Sequence, residues 1–154
     1  MLTTSLAAAQ RHRTLTLADL RLLAGVTVLE MALAISLRVL RLQILRRSLR
    51  PLRPVAAWLV EPSESRLLWA LDRTARRLPF ARNCLVRALM TELILGSCEP
   101  PLCVTIGVRR AAGRLEAHAW VEHEGRVLVG EVGVSASSVR AAFVPLLTWK
   151  SARA

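Results

Sequence analysis

Three side chains in the second half of the chain have the types and spacing for nucleophilic catalysis: Cys84, His118 34 residues later, and Glu131 13 residues beyond that. A thiol attacks a carbonyl only as thiolate, so it needs a base within hydrogen-bond reach and a third group to hold that base in its productive tautomer. Cys84 falls at the expected start of a helix, where unpaired backbone N–H groups and the positive dipole end favour thiolate, and Arg82 and Arg87 add positive charge. His118 stands between Ala117 and Ala119, whose small side chains leave room beside an imidazole. If a hairpin pivots near Glu124-Gly125, the position facing His118 is close to Glu131. Glu122 is the competing acid, but along an extended strand its Cβ is about 13 Å from that of His118. The backbone N–H of Cys84 is one candidate oxyanion donor. Singly, each residue also fits a structural role; the order of helix-start cysteine, strand histidine and next-strand acid points to a site.

The elements that must position these groups follow from periodicity. Thr16-x-x-Asp19 has the form of a capping box, and a helix is expected from there to about Arg50, since no proline intervenes. From Leu22 to Leu37 it is apolar on nearly every face apart from Glu30. That run of about 16 residues is short of the ~20 needed to span a bilayer. It fits a helix buried in the domain or a partner, an interfacial membrane helix, or a span. Pro51 and Pro54 end it. A second helix follows Pro62-Ser63, with Leu67, Leu68, Leu71 and Leu78 as its stripe and Trp69 off it, and a third runs from about Asn83 to Leu95 before Gly96. After Pro100-Pro101 the period changes to two. Strands are expected at 102–108, 115–122 and 127–132, and residues 135–149 read as one short helix and an irregular end. Helices followed by antiparallel strands make the fold class α+β. The expected division is an N-terminal apolar, basic helical segment at 1–54, docking a partner or membrane, and a catalytic domain at 55–154.

Composition narrows the partners. The formal charge is +11, almost all arginine, with Lys150 the single lysine. This fits an acidic peptide or protein partner or an anionic membrane. Nucleic acid is disfavoured, because the chain has no tyrosine, two phenylalanines and four tryptophans for base stacking. Three cysteines and no secretory signal at the start suggest free thiols in a reduced cytosol. Cys98 and Cys103 read as structural; their spacing without a second ligand pair is a poor zinc motif. No cofactor or metal is expected. His12 has no supporting context, and His123 reads as a solvated turn residue.

The words around the candidate site carry a resemblance. Cys84-Leu85-x-Arg87-Ala88-Leu89, Ile106-Gly107-Val108, Ala117-His118-Ala119-Trp120-Val121-Glu122 and Gly125-Arg126-Val127-Leu128 resemble conserved blocks of the lasso-peptide leader peptidases, over roughly residues 60–148. The resemblance implies a transglutaminase-like, papain-like fold and a cysteine peptidase that removes the leader from a small precursor peptide. It carries a Cys-His-acid triad onto Cys84, His118 and Glu131. Many members have an aspartate after the third-strand block, where this chain reads Val129-Gly130-Glu131. Trp120 and Arg82 are the expected substrate contacts. The resemblance is to the split form, whose leader-recognition domain is a separate protein, with an ATP-dependent lactam synthetase as further partner.

Two other functions stay open at this level. The same triad serves acyltransferases and transglutaminases, which pass the thioester to an amine and not to water. A non-catalytic membrane-surface adaptor would use the apolar helix and basic charge, with Cys84 structural.

Overall fold

The computed structural model describes residues 15–60, 63–130 and 136–151. Among the described residues five α-helices precede the sheet: α1 (Leu17–Val39), α2 (Leu42–Leu49), α3 (Arg53–Leu59), α4 (Glu64–Ala75) and α5 (Cys84–Leu95). Strands β1 (Cys103–Ala111), β2 (Arg114–His123) and β3 (Arg126–Val129) follow, then helix α6 (Ala136–Ala142) and strand β4 (Val144–Lys150). The strands form one antiparallel sheet in the order β3-β2-β1-β4, so the α+β expectation holds.

Local chemistry accounts for most of the boundaries. The Thr16 hydroxyl accepts from the Asp19 N–H at 3.2 Å while the Asp19 carboxylate accepts from the Thr16 N–H at 3.0 Å, closing the capping box at the start of α1. Both hairpins turn through paired left-handed residues, Ala112-Gly113 (φ 48 and 77) and Glu124-Gly125 (φ 48 and 78). That conformation matches the twist of the strands it joins.

Helix α5 is the central element. Val86 and every residue from Ala88 to Leu95 are buried, so it is enclosed on nearly all sides. Leu67 and Leu71 of α4, Leu22, Val26 and Leu33 of α1, and Val104, Ala119 and Val121 of the sheet join it in one core. The expected boundary at 54/55 is therefore not a structural boundary: α1 contributes to the same core as the site-bearing helix. At its far end α5 carries the buried Glu92. This carboxylate accepts from the Trp149 indole N–H at 3.0 Å and pairs with Arg46 at 3.5 Å and Arg53 at 3.8 Å.

Two expectations are corrected. The first helix breaks at Leu40 and Arg41, which are extended (ψ 143 and 141). The turn brings Leu45 and Leu49 of α2 into the core; with neither glycine nor proline at the break, tertiary burial overrides local propensity. The tail is not irregular, because residues 144–150 form β4 on β1. Pro145 argues against a strand in sequence. It is tolerated because β4 is an edge strand, with a register irregularity opposite Ile106 and Gly107.

Candidate active site

Cys84 is the first residue of α5. Asn83 caps the helix, its side-chain oxygen accepting from the N–H of Leu85 at 3.0 Å and of Val86 at 3.4 Å. The cap leaves the Cys84 amide outside its own hydrogen bonds, at the helix end where N–H groups point toward an incoming carbonyl oxygen.

His118 belongs to the opposite face of the sheet. It pairs with Gly107 across β1, and Trp120 on the same face packs with Val139 and Phe143. Ala119 and Val121 face α5. Among the described residues, β3 pairs with β2 only as far as Val121↔Val129. The edge of β2 beyond that point lies beside Cys84, and the thiol and imidazole line one cavity, close enough for each to shift the other's titration. The His118 Nε2 lies 2.6 Å from the Gly130 carbonyl. A carbonyl only accepts, so Nε2 carries the proton and Nδ1 is left to exchange one with the thiol.

The electrostatics favour that exchange. Burial alone pushes the Cys84 thiol up. The hydrogen bond to His118, the Ala119 backbone, the His118 charge and the Leu85 backbone outweigh burial and hold the thiol below its ordinary value. His118 moves the other way: the Cys84 hydrogen bond raises it, burial opposes, and the Gly130 carbonyl and Cys84 charge add to the rise, with Arg109 subtracting. The two groups titrate as a pair, and both shifts favour thiolate–imidazolium. By contrast, burial raises Cys98, whose Sγ lies 3.6 Å from His123 Nε2.

A cavity of about 640 Å³ opens over the pair, lined by Cys84, His118, Ala117, Asn83, Arg82, Arg87 and neighbouring backbone. Among the described residues no carboxylate lines it and two arginines do. Arg82 is held by its Nε–H donating to the Ala75 carbonyl at 3.0 Å. Trp120, expected to touch substrate, does not line this cavity. It is 2% exposed and stacks on His118 with ring centroids 6.4 Å apart. Its indole N–H is committed to Glu122 at 2.8 Å. Glu122 also accepts from Arg140 at 2.8 Å, so the competing acid is taken up by other partners. Glu131 and His12 lie outside the described residues. His123 is not a solvated turn residue, because its Nδ1 is 3.6 Å from Glu64 and its side chain only 12% exposed.

Two contributors were not anticipated. Gly130 presents its carbonyl to His118 from a left-handed backbone (φ 98), and a Cβ there would stand 2.5 Å from the Trp120 Cβ. A glycine just past a strand was the available signal. Phe143 packs its ring 5.0 Å from the imidazole, with the Arg109 guanidinium 4.8 Å over the same phenyl ring, an arrangement that follows from α6 and is invisible to spacing. Among the described residues no cluster of histidine, cysteine and acids could hold a metal ion.

Comparison with known proteins agrees with this geometry. No curated protein and no solved structure matches the chain. The family model described as transglutaminase-like superfamily matches residues 27–148, a span that begins within α1 and contains Cys84 and His118. Helices leading to a small antiparallel sheet, with a cysteine opening the central helix against a strand histidine, place the chain in the transglutaminase-like superfamily.

Proposed function

We propose that the chain is a cysteine peptidase that removes the leader from a lasso-type precursor peptide. The observation that carries this reading is that Cys84, at the N-terminus of α5, and His118 of β2 line one open cavity together. The Cys84 thiolate attacks the scissile carbonyl, and the oxyanion forms beside the Cys84 amide. The His118 imidazolium gives its Nδ1 proton to the departing amine as the C–N bond breaks. A thioester remains on Cys84. Water then attacks with His118 as base, releasing the carboxylate and restoring the thiol. The Gly130 carbonyl holds the ring Nε2–H throughout, and Glu131, next in sequence, is proposed to add negative charge that stabilises the imidazolium. Arg82 and Arg87 make the cavity wall cationic, which suits a peptide with acidic or polar groups near the cut. On this reading a separate recognition protein presents the leader, and an ATP-dependent lactam synthetase closes the ring.

The test is mass spectrometry of a precursor peptide incubated with the protein and its leader-binding partner, beside Cys84→Ala. Cleavage lost in the variant, with a covalent adduct on Cys84 in the active protein, supports the reading. Transfer of the acyl group to an added amine in preference to water would move the assignment to acyl transfer. No turnover in any combination, with Cys84 inert to alkylation, would sink both.

A further inference from the structure

The outward face of α1 is built unlike the solvent face of a soluble helix. Leu17, Ala24, Val28, Met31, Ile35 and Val39 recur at helical spacing, and all are exposed, Val39 by 78%. The opposite face buries Leu22, Val26, Glu30 and Leu33 in the core. Such a stripe runs about 35 Å at 1.5 Å per residue. Trp58 on α3 is 84% exposed. The charge around this face has one sign. From residue 17 to residue 60 the only acids are Asp19, which pairs with Arg66 at 3.6 Å and caps α1, and the buried Glu30. Arg21, Arg38 and Arg41 flank the stripe. Just beyond it a second concavity, of about 300 Å³, is lined, among the described residues, by Gln43, Arg46, Arg47 and Arg50.

We propose that α1 and α2 form a docking surface for an anionic bilayer, with α1 lying in the interface and the exposed Arg47 and Arg50 taking lipid phosphates. An exposed apolar stripe with arginines at its margins and an exposed tryptophan nearby is the composition that binds at the headgroup boundary. The helix lies on the bilayer and does not cross it, because its other face is fixed in the core and carries Glu30. The inference does not depend on the peptidase reading.

The test is flotation of the full-length protein with phosphatidylglycerol-containing vesicles and with pure phosphatidylcholine vesicles. The expected result is selective, salt-sensitive binding to the anionic vesicles. The double variant Arg47→Gln/Arg50→Gln should lower partitioning about thirtyfold, and Met31→Glu/Ile35→Glu should lower it at least as much. Both alter exposed side chains, and an unchanged circular dichroism spectrum checks that the fold survives. No binding, or equal binding to neutral vesicles, would overturn the proposal. So would resistance to salt and alkaline extraction, which marks a spanning helix. Concentration-dependent self-association abolished by Met31→Glu/Ile35→Glu, without vesicle binding, would reassign the face to a second copy of the chain.

Discussion

His118 and Gly130 are joined by a 2.6 Å hydrogen bond from the ring Nε2–H to a main-chain carbonyl. This one contact sets the tautomer, aims Nδ1 at Cys84 and assigns to backbone an orienting role usually sought among acidic side chains. The carbonyl is aimed by the left-handed conformation of Gly130, so the residue matters for what it lacks.

Gly130→Ala should therefore damage chemistry more than binding. An added Cβ would fall 2.5 Å from the Trp120 Cβ and 2.7 Å from the Ala119 carbonyl, so the backbone must shift and the carbonyl with it. The expected loss in kcat is about 100-fold, with KM nearly unchanged, since general base catalysis contributes ~10²–10⁴-fold. Steady-state kinetics on the precursor would check this, and a change confined to KM would contradict it.

Alkylation of Cys84 should begin at lower pH than for an ordinary thiol. The thiolate is the reactive form, and the hydrogen bond to His118 lowers the pH at which it appears. In His118→Ala the burial contribution is left without its main opponent, and the midpoint should rise. Cys98, held above its ordinary value by burial, serves as the internal control and reacts last. Iodoacetamide labelling followed by peptide mass spectrometry across pH reads all of these together.

Glu30 predicts a loss of stability as pH rises. It is 0% exposed. Burial lifts its carboxyl from 4.5 to about 7, and Thr74 and the Arg87 guanidinium only partly offset this. The folded state thus binds the proton more tightly than the unfolded state. The favourable contribution is complete below pH ~4.5 and is lost progressively up to about 7. Glu30→Gln should remove this slope, raising stability above pH 7 by up to about 3 kcal/mol. Thermal melts at pH 5 and pH 8, wild type against variant, measure it; an equal effect at both would rule it out.

Much of this was legible before any coordinates. The bounds of α5 follow from Asn83 and Gly96, the two hairpins from glycines at Gly113 and Gly125, and the Cys84–His118 pairing from an element order that leaves few ways to pack a helix on a sheet. Register was legible near the turn, where His123 faces Arg126 and Glu122 faces Val127. A bulge then makes Val121 face Val129, a one-residue slip that hydrophobic pattern does not encode. The roles of Trp120 and Glu122 were misread for a related reason. Trp120 and Arg140 of α6 both donate to the same Glu122 oxygen, and the arrival of α6 on this face is not encoded in the strand's own pattern. The break at Leu40-Arg41 is likewise a product of packing, with no local residue to announce it.

The helix that carries the nucleophile is specialised by position. Its first turn holds Cys84, and eight residues on, about 12 Å along the axis, Glu92 fastens α2, α3 and β4 to it. Groups that far apart, with no shared partners, contribute almost independently. Substitutions around the cavity can thus accumulate without loosening the scaffold, while the Glu92 anchorage bears the selection for stability. New substrate preferences are open to such a chain by gradual change at one end of a single helix.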